Sequence, residues 1–443
     1  MKTSIRWSAA AVVLAAVGGL ASSQSAPLTV LALMGFVAFL AVSQNRPAAT
    51  ALLFPLAFIP FAVSLFPKLV GPSDFILVLL GGALLLEWAT DRQPGSLLGP
   101  LAVPALGFIA WTAASSLWAA NPAAVLGETI QRASFVGLGL AIVHTLPTDG
   151  RAVRRGLNGM VAMAAVMGAV ETISAVVSGR YFAVYALGIH KNWYGFVLAF
   201  GLIVLAAMAF EGRRRLTLNW LFPLVPMLSG LIFSGSRGGW IGTLVGVTVV
   251  VIFQRPSVAW PAVTAAVLVV GLAVVAAPQL TTDKINTKSV DTTTGMRMAT
   301  WSQGVKAVKA HPVFGEGAGN FVAVVDNRGA QVDPNNLTLL TWAETGIFGL
   351  LLLGWLVLGA LRMAARNART LTGTAALANT AGCALFASAI AHAQFDIFWT
   401  RGIALLTFMG MGLVLWANRQ EHHSLSEPAR SEATRSLVEL GAL

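Results

Sequence analysis

Apolar runs of about 17 to 22 residues recur along almost the whole chain, and each, as a helix, is long enough to cross roughly 30 Å of hydrocarbon. They predict an all-α polytopic membrane protein of about 12 to 14 transmembrane helices. Candidate spans are 7–23, 27–43, 49–66, 75–90, 98–119, 124–146, 156–177, 193–210, 216–233, 238–253, 258–277, 337–361, 374–396 and 401–417. The segments at 27–43, 75–90 and 216–233 are short, so twelve remains open if one pair is re-entrant. With 56% hydrophobic and 11% charged residues the chain is no soluble globule. A net charge of +11 would suit a nucleic-acid binder, but the basic residues are scattered singly and in threes between apolar runs, where they orient helices. The lone Cys383 excludes an internal disulfide and any cysteine metal site.

Lys2 and Arg6, an apolar run to Leu20 and small residues up to Ala26 also fit a secretory signal, whose removal would leave the downstream orientation unchanged. One set of alternate loops receives Arg46, Arg92, Arg151, Arg154, Arg155, Arg213, Arg214, Arg215, Arg255, Arg362, Arg366, Arg369 and Arg419. Short Arg-rich loops mark the cytoplasm, which predicts a multi-pass membrane protein with both termini inside. The chain divides into N-terminal transmembrane helices (1–277), a polar loop on the outer side (278–336), C-terminal transmembrane helices (337–417) and a cytoplasmic tail without regular structure (418–443).

Some cations remain on the outer side: Lys68, Arg132, Arg180, Lys191, Arg237 and Arg401 at or near helix ends, with Arg297 in the loop. Arg237 sits in the very short turn Ser234-Gly235-Ser236-Arg237-Gly238-Gly239, where small residues admit a bulky headgroup and guanidinium offers a fork for phosphate. The plain alternative is an arginine reaching the interface. Within the loop, Met298, Trp301, Val305 and Val308 share one face of an amphipathic helix that ends at His311-Pro312 and is followed by the glycine turn Gly315-Glu316-Gly317-Ala318-Gly319. His190-Lys191-Asn192-Trp193 has the makeup of an interfacial anchor or headgroup contact. Glu344, about two turns inside its span, needs a partner or a wet cavity. Glu128 with Arg132 reads as a structural i,i+4 pair; His392 with Asp396 lacks a third ligand for a metal. No nucleotide-binding motif is present, so chemistry outside would need an activated donor carried by the membrane.

Ser236-Arg237-Gly238, then Arg297 four residues before Trp301, His311-Pro312-Val313-Phe314-Gly315-Glu316-Gly317, and Glu344-Thr345-Gly346 follow in an order that resembles the O-antigen ligase and O-antigen polymerase superfamily of bacterial envelope glycosyltransferases. The resemblance covers roughly residues 185 to 400. It implies a membrane glycosyltransferase (GT-C-like) fold and metal-independent, inverting transfer or polymerisation of glycan from an undecaprenyl-diphosphate-linked donor on the periplasmic face. Implied partners are that donor and a saccharide or glycolipid acceptor; no cofactor and no metal is required. Ligases of this family carry a His-Asn pair at the end of the loop, whereas this chain has Asn335-Asn336, which argues for a polymerase or a divergent exopolysaccharide transferase.

The expected site has Arg237 and Arg297 gripping the diphosphate, with Asp333 and Glu316 as candidate bases. Lys191, Asn192, Arg180, His311, Asn335, Asn336, Glu344 and Arg401 are expected to bind substrate. A transporter or flippase for an anionic lipid or solute is the rival, with Glu87, Glu171 and Glu344 as its pathway, although no half-to-half repeat is visible.

Overall fold

The computed structural model describes residues 38–39, 41–59, 63–65, 68–70, 72–91, 95–181, 184, 186–211, 217–255, 257, 288–324, 331–332, 334–399 and 401–440. The expected spans at 7–23 and 258–277, and most of 27–43, lie outside them. The chain is an all-α polytopic membrane protein, with eight helices among the described residues long and apolar enough to cross a bilayer.

Helix α1 (Arg46–Leu56) is followed by a short antiparallel pair, β1 (Val63–Leu65) and β2 (Lys68–Val70), and by α2 (Pro72–Thr90). Next come α3 (Ala102–Ala114) and α4 (Pro122–Arg132), which runs through a wide π turn into α5 (Gly139–His144). Helices α6 (Arg151–Ser178), α7 (Lys191–Phe210), α8 (Leu221–Ser234) and α9 (Arg237–Gln254) follow. The polar segment contributes α10 (Lys288–Ala310) and a two-residue pairing of β3 (Ala323–Val324) with β4 (Gln331–Val332). The last three helices are α11 (Leu337–Asn367), α12 (Gly373–His392) and α13 (Arg401–Leu440). Helix α13 continues, through Pro428, where composition suggests an unstructured tail.

Helices α7 and α12 and the first half of α13 form the buried centre, while α2, α3, α6, α8, α9 and α11 show large apolar side chains outwards, such as Leu85, Val103, Ile173, Phe222 and Leu351. That pattern suits lipid as the outer solvent. Lipid gives helices no hydrophobic drive to associate, so small residues that let backbones approach take over. A side chain at Gly195 would sit 2.3 Å from Ser236 Cβ, and one at Gly239 2.8 Å from Gly195 Cα. These contacts bring the N-terminal turns of α7 and α9 together.

The polar loop is tied to the bundle by a buried charge pair. Arg132 Nη2 lies 2.5 Å from Glu344 Oε2, with both side chains almost fully covered. Arg132 Nη1 donates to Thr112 Oγ1 at 3.0 Å, and the guanidinium stacks 5.4 Å from the Phe108 ring and 5.1 Å from that of Trp399. Glu344 Oε1 accepts from Gly319 N–H at 2.9 Å, and its carbonyl accepts from Gly317 N–H at 2.9 Å. Gly346, at φ 66°, breaks α11 beneath the loop, and any Cβ there would meet the Val313 carbonyl oxygen at 2.0 Å. Arg132 is therefore the partner Glu344 requires.

The face of α10 that seats on the bundle overlaps the apolar face only in part, at Val308. Thr300, Gly304, Ala307 and Val308 are buried, and Gly304 packs on Leu339 of α11. Met298 and Val305 are exposed. Small residues won the contact because they admit a closer helix approach.

Removing one member of a buried ion pair leaves the other uncompensated, at about 3–5 kcal/mol. Arg132→Leu should lower the thermal unfolding temperature of the purified protein markedly. An unfolding temperature matching the wild type would refute the tethering role.

Candidate functional site

The N-terminal turns of α7 and α9, the C-terminal end of α12 and the first part of α10 meet at the loop end of the bundle. The turn into α9 is compact because Gly235 caps α8 at φ 58° and Ser236 Oγ accepts from Gly239 N–H at 3.2 Å. Arg237 consequently becomes the first residue of α9, as Lys191 is of α7. Helix N-termini carry partial positive charge, so a cation there is disfavoured unless an anion is present.

Arg237 is exposed, and Lys191 and Arg297 are half-buried. Both arginines lie close enough to Lys191 to act on it electrostatically. Among the described residues, none of these three side chains forms an ion pair or a hydrogen bond. The other end of the bundle is different. There Arg46 Nε meets Glu87 at 3.0 Å and its remaining nitrogens bind Thr145, while Arg154 is held by Glu211 and by Thr374 Oγ1 at 2.9 Å.

The cations have neighbours that the sequence reading left aside. His392 is buried against Gly238, whose added Cβ would lie 2.2 Å from its Cδ2, and His392 Nε2 stands 3.4 Å from Asp396 Oδ2. Asp396 also accepts from the Ile397 N–H at 2.9 Å. Burial pushes the Asp396 carboxyl up, but His392, the Ile397 N–H and Arg297 outweigh it and hold the group below the usual carboxylate range. His190, the cap of α7, accepts from Asn192 N–H at its Nδ1, 3.3 Å away. Burial lowers its pKa, Asp396 opposes, and Lys191 and Arg297 add to the depression. It stays neutral at pH 7 with its proton on Nε2, as a donor. The His-x-x-x-Asp spacing at the end of α12 was the signal available for this pair.

Other expected site residues fall into separate groups. Asn336 caps α11, accepting from Leu339 N–H at 2.9 Å and donating to the Gln394 carbonyl at 3.2 Å, beside Asp396 in sequence. Asn335 precedes it at φ 50°. Arg180 is exposed just past α6. Glu344 is engaged by Arg132 and the glycine loop. Asp333 and the Arg401 side chain lie outside the described residues.

Glu316 and His311 do not join the cations. At 1.5 Å per residue, α10 carries the chain roughly 21 Å from Arg297 to His311. Both residues instead line a cleft of about 610 Å³ with Trp118, Phe314 and Asn320. Burial raises the Glu316 carboxyl, and His311 opposes the shift. The structure therefore separates Glu316 from the arginines it was expected to serve.

Residues 222–354 match the model of the O-Antigen ligase family. The matched span holds Arg237, Arg297, the glycine loop and Glu344, and it supports the O-antigen ligase and polymerase superfamily. No curated protein matches the chain.

Three cations at two helix N-termini and on α10, with no ion pair among the described residues, should attract a multivalent anion. Pyrophosphate is expected to raise the unfolding temperature of the purified protein, and the double variant Arg237→Gln/Arg297→Gln to lose most of the shift. An equal shift in that variant would show that the anion binds elsewhere.

Proposed function

We propose that this chain, of the O-antigen ligase and polymerase superfamily, transfers or polymerises a glycan from an undecaprenyl-diphosphate-linked donor on the periplasmic face of the bacterial inner membrane. The family match supports glycan transfer in general; the carrier, the face and the mechanism are our reading. The observation that carries it is the trio Lys191, Arg237 and Arg297, which among the described residues form no ion pair, at the end of the bundle where the polar segment packs. A diphosphate is the ligand class that satisfies three such charges on a lipid.

In this reading the acceptor hydroxyl attacks the anomeric carbon from the face opposite the diphosphate. The new glycosidic bond forms as the bond to the diphosphate oxygen breaks, and that electron pair leaves with the diphosphate. Lys191, Arg237 and Arg297 neutralise the growing charge, and the His190 Nε2–H adds a neutral donor. Protein cations meet this need without a divalent ion. The hydroxyl proton passes to Asp396, held ionised beside Arg297; Asp333 remains a second candidate. Asn335, where ligases have histidine, cannot take a proton, which favours polymerisation over ligation.

A transport pathway through Glu87, Glu171 and Glu344 is less well supported. Glu87 is bound by Arg46 and Glu344 by Arg132, so two of its three stations are occupied.

In cells lacking the protein, Arg237→Ala or Arg297→Ala should restore expression but leave transfer reduced on the order of 10²–10³ fold. Full complementation by both variants would remove the mechanism. Asp396→Asn should retain the pyrophosphate-induced thermal shift while losing turnover; normal turnover would dismiss Asp396 as the proton acceptor. A cysteine placed at exposed Ser302 of α10 should react with a membrane-impermeant maleimide in spheroplasts, and protection there would reverse the assigned orientation.

A further inference from the structure

The cleft at the far end of α10 has a composition unlike that of the cation cluster. Trp118 and Phe314 form its apolar wall, their ring centroids 5.4 Å apart, within a larger aromatic group that includes Trp111 and Phe348. Phe314 is 51% exposed, so its ring is accessible from the cleft. The floor is rigid. Gly315 at φ 73° presses on the Glu344 backbone, Glu316 N–H donates to the Ala343 carbonyl at 2.9 Å, and Trp342 Nε1 donates to the Pro312 carbonyl at 2.9 Å. Asn320 is fixed to the Asn121 backbone by bonds of 2.7 and 3.3 Å. Among the cleft's polar side chains, His311, Glu316 and the indole N–H of Trp118 are left with no hydrogen bond among the described residues.

An aromatic wall facing two free hydrogen-bonding groups matches a ligand with an apolar face and a rim of hydroxyls. A lipid tail would leave Glu316 and His311 unsatisfied. A phosphate would be repelled by the Glu316 carboxylate, and the cleft lining has no arginine or lysine. We infer that this cleft is a saccharide-binding subsite that holds sugar units of the substrate away from the diphosphate, with Trp118 and Phe314 stacking on a pyranose face and Glu316 and His311 bonding its hydroxyls. The inference rests on the glycan-transfer reading above, but it concerns different residues and a different part of the ligand. Arg297 and the cleft are joined by one helix, so a glycan held at the cations by its diphosphate can extend along α10 towards Trp118.

The test uses full-length protein in detergent and two probes. The first is the oligosaccharide released by mild acid from the lipid-linked donor that accumulates in cells expressing Arg297→Ala. The second is undecaprenyl diphosphate, which carries no sugar. Glu316→Gln and Trp118→Phe should each weaken binding of the oligosaccharide about tenfold and leave binding of undecaprenyl diphosphate unchanged. Arg237→Ala and Arg297→Ala should do the reverse. Because Trp118 also packs internally, Glu316→Gln, which preserves shape, is the decisive variant. Wild-type affinity for the oligosaccharide in Glu316→Gln and Trp118→Phe would overturn the subsite. Unchanged binding of undecaprenyl diphosphate in the two arginine variants would instead overturn the diphosphate site, with the cleft judged on its own arm.

Discussion

The Arg132–Glu344 pair holds together the two parts of this molecule that could otherwise move independently. A lone charge among apolar helices costs several kcal/mol, so each of these residues is tolerable only because the other is present. Glu344 then uses its second oxygen and its carbonyl to bind the glycine loop, and the Gly346 break makes room for that loop. A helix-to-helix charge pair thereby fixes the start of α11 and the end of α10. Everything proposed for the polar segment depends on that anchoring.

Charge is treated differently at the two ends of the bundle. Arg46 and Arg154 are matched by carboxylates, with hydroxyls completing their bonds. Among the described residues Lys191, Arg237 and Arg297 form no such pair, and Asp396 is held towards His392. Mutual repulsion among three cations, two of them at the positive ends of helices, carries a cost. On the proposed function, an anionic substrate would remove it, so part of the binding energy would come from relieving that repulsion.

Much of this was legible in the sequence because lipid imposes a coarse and strict rule. Eleven of the expected spans meet helices in the structure, from 49–66, of which only the first part is helical in α1, to 401–417, which α13 overruns as far as Leu440. Arg237 is marked by its position in a turn too short to need a cation, and with Arg297 it acts electrostatically on Lys191. What escaped was long-range pairing. Arg132 was assigned to Glu128 on its own helix, because i,i+4 spacing is visible in sequence and a partner 212 residues away is not. Glu316 was grouped with the arginines by nearness in the chain, although an intervening helix converts sequence proximity into distance. The amphipathic pattern of α10 shows in its large apolar residues, but the contribution of Gly304 and Ala307 to its seat on α11 does not, because small residues give no hydrophobic signal.

If the proposed diphosphate and saccharide sites are both used, helix α10 sets the gauge between them. It is a stiff rod between the cations and the aromatic cleft, and a glycan engaging both would have to span roughly 21 Å. Shorter oligosaccharides would then occupy one station and dissociate easily, while longer ones would gain a second foothold. The loop helix would act as a yardstick, favouring chains that are already long.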